Sequence, residues 1–292
     1  MAPPRYLIPY ILITAFQYVF AKDALGYASP LVYGALTTLL TSIALFSVSK
    51  GFRPILNRDT LLFSLFYWLS GVSWLVGLNY ISSSQSAVIS FTMPLFAIPL
   101  AILVLGERGS RAEVYGAVIG FGGIVVFNIP LLTGGTTVIG VALTLSDAFF
   151  WALFSVFMRR LRDQDAPRTL ATATFVAFLL YGAFSFTDFS VRPTVQLAAD
   201  VGFLGIVAGA FNFYLWMALI RIEKVGKLTT VIFLAPVITL IYTVATTRAI
   251  PSYITLTGVA LIFLGIYAAN IMRPAETPAS PPGPSPVLGH GS

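Results

Sequence analysis

Long apolar runs, separated by short polar or turn-forming stretches, recur along the whole chain. They fall at about residues 6–21, 29–49, 60–80, 84–105, 112–130, 137–158, 169–187, 198–219, 228–247 and 252–271. A run of about 18 or more apolar residues lets a helix cross a bilayer, so the pattern predicts ten transmembrane helices. The run at 6–21 reads as the first of them and not as a cleaved leader, because no small-residue cleavage site follows it. Helix starts carry their own signals. Ser29 precedes Pro30, which suits the first helical position. Ser110 and Glu113 have capping-box spacing, and Asp59 and Ser252 are expected caps of the third and tenth helices. From Pro274 onward Pro, Ser and Gly dominate, and residues 274–292 are expected to be a disordered tail.

The pattern also repeats. Residues 94–123 and 236–265 align without a gap at an offset of 142: Pro94 falls on Pro236, Gly116 on Gly258, Phe121 on Phe263 and Gly123 on Gly265. Each copy is a Pro-broken helix, a short turn and a Gly-rich helix. One repeat then holds five helices, and an odd number sends the second half through the membrane in the opposite sense. The expected fold is an all-α polytopic membrane protein with ten transmembrane helices in two inverted five-helix repeats, residues 1–130 and 137–273. Inverted repeats with broken helices near the midplane are the architecture of many secondary transporters.

Composition removes several other classes. Of 292 residues 57% are hydrophobic and only 10% charged, with mean hydropathy +0.88; soluble domains carry about 25% charged residues. There is no cysteine, so no disulfide or thiolate site, and the single histidine, His290, lies in the tail. The net charge of +6 needs no nucleic-acid partner. Lys and Arg collect in cytoplasmic loops, and alternating the segments between the ten spans divides them 14 against 3, the sparse side holding Lys22, Arg192 and Arg248. That places both termini in the cytoplasm, with the chain in the plasma (inner) membrane. No G-x-x-x-x-G-K-[ST] loop is present to bind ATP; Gly120-Phe121-Gly122-Gly123 sits inside an apolar helix. Asp163-Gln164-Asp165 has no second acidic cluster to complete a metal site, so it reads as a solvated loop capping the next helix. No cofactor and no enzymatic activity are expected.

Residues 82–127, SSSQSAVISFTMPLFAIPLAILVLGERGSRAEVYGAVIGFGGIVVF, resemble the fourth and fifth helices of the EamA-like branch of the drug/metabolite transporter superfamily. The shared features are small residues opening the helix, a mid-helix Pro, an apolar stretch ending in Gly-Glu-Arg, and the glycine helix. Residues 146–160, SDAFFWALFSVFMRR, resemble the Trp-Ala start of that family's sixth helix. The resemblance implies a ten-helix exporter or exchanger of small metabolites such as amino acids, with a central cavity. Thr247-Arg248-Ala249 stands where a second Gly-Glu is often found, Thr14 where a Trp is common and Thr38 where an Arg is common. These departures bear on the substrate.

Candidate site residues follow from depth and spacing. Pro94 and Pro236 remove backbone donors and expose carbonyls at membrane depth, tolerated where they line a cavity; a packing kink is the alternative. Tyr67, Ser70 and Trp74 share one face of the third helix, and Gly205, Gly209, Asn212 and Trp216 one face of the eighth. Gln17, Ser90 and Thr230 are polar groups within spans, where a partner or a watery path is needed. The expected substrate lining is therefore Gln17, Tyr67, Trp74, Ser90, Pro94, Asn212, Trp216, Thr230 and Pro236, suited to a zwitterionic or amphiphilic small molecule. Asp147 stands alone in an apolar run, about ten residues from either end of its helix. A charged Asp at the centre of a spanning helix costs about 2.5–3.5 kcal/mol on insertion scales. It is the candidate proton-coupling residue; the alternative is a structural carboxyl bonded to a neighbouring helix, for example to Gln17. The expected partners are a small-molecule substrate, protons and membrane lipid. A passive solute channel, or a multi-pass membrane enzyme, is the competing reading.

Overall fold

The computed structural model describes residues 4–49, 51, 53–106, 111–129, 135–161, 163–222, 234–248 and 251–271. Ser110, Thr230 and the Pro-rich tail lie outside those residues. Among the described residues twelve α-helices run in chain order: α1 (Pro4–Ala24), α2 (Pro30–Val48), α3 (Arg58–Leu78), α4 (Ser83–Ser90), α5 (Met93–Leu105), α6 (Arg111–Asn128), α7 (Gly135–Arg160), α8 (Ala166–Phe184), α9 (Val195–Gly202), α10 (Asn212–Ile222), α11 (Leu234–Thr247) and α12 (Tyr253–Ile271). A π-helical segment, Phe203–Phe211, joins α9 to α10. Among the described residues the only β contact is an isolated antiparallel bridge between Ala28 and Val191.

Among the described residues six helical stretches are long and apolar enough to cross a membrane: Pro30–Val48, Arg58–Leu78, Ser83–Leu105, Thr137–Arg160, Ala166–Asp188 and Val195–Trp216. Shorter apolar helices cover Val118–Phe127 and Tyr253–Gly265. Large apolar side chains face outward, Leu103 being 79% exposed and Val118 66%. Thr37, Thr41, Ser64, Ser70 and Thr174 are buried inside. The apolar exterior suits a lipid surround, while the interior combines these hydroxyls with a hydrophobic core. The buried hydroxyls of Thr37, Ser64 and Thr144 donate to carbonyls four residues back on their own helices, which satisfies them without a partner element.

Several helix starts differ from expectation. The α3 cap is Asn57, whose side chain accepts from the Thr60 N–H at 2.8 Å. Asp59 already lies in the first helical turn and receives Arg160 Nε at 2.9 Å instead. Ser29 and Asp165 occupy cap positions but their side chains make no cap bond. Ser82 and Gln85 form a reciprocal capping box at α4. Ser252 accepts from Thr255 N–H at 3.1 Å, the expected cap at α12.

The fourth apolar run breaks at Phe91–Thr92 into α4 and α5, leaving Pro94 in the first turn of α5. α5 ends at Gly106 in the left-handed region, φ 67, a backbone that glycine adopts freely. Arg248, 142 positions on, is the only other residue with positive φ among the described residues, at 56, and ends α11. The two N–H groups donate to matching carbonyls, Gly106 to Ile102 and Arg248 to Val244.

α3 packs against α7 and α8, α2 against α8 and the π segment, α5 against α7, α1 against α10 and α11, and α6 against α12. The last pair meets backbone to backbone. A Cβ on Gly123 would meet Gly258 O and Ile262 N, and one on Gly265 would meet Gly116 O and Gly120 N. Rising number on α6 thus opposes falling number on α12, so the two helices are antiparallel.

Candidate functional site

A cavity opens between α1, α2, α3, the α4–α5 break, α7, α8 and the π–α10 segment. The space open to the centres of water-sized molecules is about 160 Å³. Its walls are aromatic. Tyr10 of α1 stacks on Trp216 of α10, with ring centroids 5.3 Å apart. Tyr18 meets Trp74 edge to face at 5.4 Å and lies 6.4 Å from Phe91 at the helix break. Trp151 and Phe213 close another side, 5.9 Å apart.

Asp147 is the only charged side chain among the described lining residues, and it is buried. Ser70 Oγ donates to its Oδ1 at 2.6 Å and Ser90 Oγ to its Oδ2 at 2.7 Å. Thus α3 and the last residue of α4 converge on one carboxylate of α7. The Gln17 partnership does not form; Gln17 lines the cavity on α1 and the two serines hold Asp147. α3 and α4 pack directly against α7, which gives their short hydroxyl side chains the reach.

Asn212 is 6% exposed, and its Nδ2 donates to Thr14 Oγ1 at 3.0 Å. Its Oδ1 and the indole N–H of Trp74 are buried with no hydrogen-bond partner. Buried polar atoms are nearly always paired, so an unpaired acceptor and an unpaired donor on residues lining one cavity mark places for ligand atoms.

Of the residues expected from sequence, Gln17, Tyr67, Trp74, Ser90, Asn212, Trp216 and Asp147 come together here. Pro94 and Pro236 are placed by backbone alone, in α5 and α11, and Thr230 lies outside the described residues. The stripe expected on the eighth span is altered by the π segment. Gly209, Asn212 and Trp216 line the cavity, but Leu204 and Ala208 take the place of Gly205. A π turn spans one more residue than an α turn, which shifts the face below Asn212. The Gly205 carbonyl instead accepts from Thr41 Oγ1 at 2.7 Å. Tyr10 is an addition to the expected lining, and Thr14, a departure from the family pattern, joins it; both continue the Gln17–Tyr18 face at helical spacing. Trp151 lies one turn beyond Asp147, a usable signal. Tyr181 reaches the cavity from α8 without any. Among the described residues no group of His, Cys, Asp and Glu is arranged to hold a metal.

Comparison with known proteins agrees with this architecture. The profile of the EamA-like transporter family matches the chain twice, over residues 6–129 and 138–271. An uncharacterized transporter in the sor 3' region of Acidianus ambivalens is 36% identical over 242 residues, 82% of this chain and 93% of its own. A Salmonella typhimurium protein named "Probable amino-acid metabolite efflux pump" is 25% identical over 288 residues, 88% of this chain and 91% of its own. A crystal structure with 21% identity superposes with a TM-score of 0.68 over 90% of this chain and 95% of that one, a likeness of fold. The chain is a polytopic membrane protein and belongs to the EamA-like transporter family.

Proposed function

We infer that the chain is a secondary carrier for a small organic metabolite, an amino acid or a related compound, working by alternating access. The observation that carries this reading is a cavity lined from both halves by residues at one offset. Ser70 and Trp74 of α3 correspond, 142 positions on, to Asn212 and Trp216 of α10, and all four line it. The double match to the family profile supports two repeats, residues 1–130 and 137–273. The antiparallel glycine contact of α6 with α12 supports their inversion, because Gly123 against Gly258 becomes Gly265 against Gly116 when the halves exchange. Two such halves can trade inner-open and outer-open forms around a fixed site. Substrate contacts fall to Gln17, Tyr67, Trp74, Ser90, Asn212 and Trp216, and Pro94, Thr230 and Pro236 stay candidates for the lining from the fourth and ninth apolar runs. The name of the Salmonella relative supports export of amino-acid metabolites.

Asp147 is the proton-coupling residue on this reading. It joins α7 to α3 and α4, so a proton gained or lost there acts on three elements at once. Counterflow of labelled metabolites in proteoliposomes tests the carrier: saturable flux with trans-stimulation is expected, whereas linear flux without counterflow identifies a channel. Accumulation driven by a pH gradient is expected to vanish in Asp147→Asn. Accumulation at the wild-type level in that variant makes Asp147 structural.

A further inference from the structure

We propose that the cavity recognises an ammonium group, through the Asp147 carboxylate, the Asn212 carbonyl oxygen and the surrounding aromatic faces, and so prefers cationic amines to zwitterions and zwitterions to carboxylates. The proposal rests on the carrier reading only in taking this cavity as the ligand site.

Hydrogen-bond supply and demand carry the argument. A carboxylate offers about four acceptor positions, and Ser70 and Ser90 fill one on each oxygen. The remainder call for donors from a ligand. Asn212 spends its amide N–H on Thr14 and keeps a buried, unpaired oxygen. An ammonium group has three donors and no acceptor, which matches this surplus. Among the described lining residues there is no Lys, Arg or His to take a ligand carboxylate, and the buried donor left without a partner is the neutral indole of Trp74. That donor suits one hydroxyl or amide oxygen. Trp151 lies one helical turn from Asp147 and Trp74 one turn from Ser70, and aromatic faces within about 6 Å attract a cation. The zwitterion expected from sequence thus finds its cationic end well served and its anionic end poorly so.

Proton and ammonium then occupy one carboxylate in turn. The other titratable groups lining the cavity are the phenols Tyr10 and Tyr18 of α1, Tyr67 of α3 and Tyr181 of α8. The test is equilibrium binding to the purified full chain in nanodiscs, with four ligands on one scaffold: 2-phenylethylamine, phenylalanine amide, phenylalanine and 3-phenylpropionate, and 3-phenylpropan-1-ol as the uncharged control. The amine and the amide are expected to bind about tenfold or more tighter than the carboxylate, as a charge-assisted bond requires. Amine binding is expected to weaken as pH falls and to lose that dependence in Asp147→Asn. The same variant should bind the amine about tenfold more weakly, with monodisperse elution in detergent as evidence of an intact fold, and Asp147→Glu should recover part of the loss. Equal or stronger carboxylate binding, no saturable amine binding, or an unaltered amine affinity in Asp147→Asn overturns the proposal. Amine binding without counterflow sinks the carrier reading alone, and counterflow of a carboxylate without amine binding sinks this one alone.

Discussion

Asp147 accepts hydrogen bonds from the Ser70 and Ser90 hydroxyls, so one buried carboxylate is held by two neighbouring helices. Removing either hydroxyl leaves a buried oxygen short of a donor, at a cost of about 1–3 kcal/mol. Ser70→Ala is therefore expected to lower the thermal midpoint in detergent, and Ser70→Thr, which keeps the hydroxyl, to recover much of it. An unchanged midpoint in Ser70→Ala means that water replaces the hydroxyl. Asn212 works differently, because only its amide N–H is used within the fold. Asn212→Ala is expected to raise the apparent KM for a polar substrate about tenfold, and wild-type kinetics at equal expression would assign it to packing. Asp147 was legible from sequence because a single carboxylate in an apolar run is costly wherever the run is buried. Its partners were not, since Ser70 and Ser90 are ordinary small residues until α3 and α4 are docked against α7. Tyr181 was hidden for the same reason: no spacing within α8 points it at the cavity.

Helix ends and helix faces separate what sequence can encode locally from what packing imposes. Gly106 and Arg248 both end a helix in the left-handed region, yet only one of them is glycine. For an L-residue with a side chain that backbone costs about 1–2 kcal/mol, so Arg248→Gly is expected to stabilise the protein by about 1 kcal/mol, read as a higher thermal midpoint. A lower midpoint would mean that the arginine side chain makes a contact worth more than the strain. On α6 and α12 the glycines divide by face. A Cβ on Gly265 would fall on the α6 backbone, whereas one on Gly122 meets nothing within 4 Å. Gly265→Ala is expected to destabilise by about 1–3 kcal/mol through overpacking, and Gly122→Ala to be neutral or slightly stabilising. Equal effects of the two would place the glycine seam elsewhere. The seam was visible as a motif, and the break ahead of Pro94 followed from the proline. The π segment was not visible, because Phe203–Phe211 reads by composition as an ordinary apolar helix.

At the scale of the molecule, three helix packings among the described residues are related by the proposed exchange of halves. Swap α1 with α7, α2 with α8, α3 with the π–α10 segment, α5 with α11 and α6 with α12. The packing of α3 on α8 then becomes that of the π segment on α2, α3 on α7 becomes α10 on α1, and α5 on α7 becomes α11 on α1; every one of these contacts is present. Only part of this was in the sequence, where the halves share Gly and Pro positions at one offset but few other identities. On the proposed reading, halves that exchange while antiparallel need an odd number of crossings each, five on the expected count, and the basic residues, 14 on one side and 3 on the other, set the proposed sense. On the proposed topology the loop holding Gly51 and the turn holding Gln164 are cytoplasmic, while the segment between α8 and α9 is outside. The chain has no cysteine, so single cysteines report without background. In intact cells an impermeant maleimide is expected to label Pro193→Cys, which is exposed beside Arg192, and to spare Gly51→Cys and Gln164→Cys until the membrane is permeabilised. Labelling of Gln164→Cys from outside, with Pro193→Cys protected, would invert the molecule. Labelling of all three from one side would require an even number of crossings between Gln164 and Pro193, and the five-helix inverted repeat would fall with it.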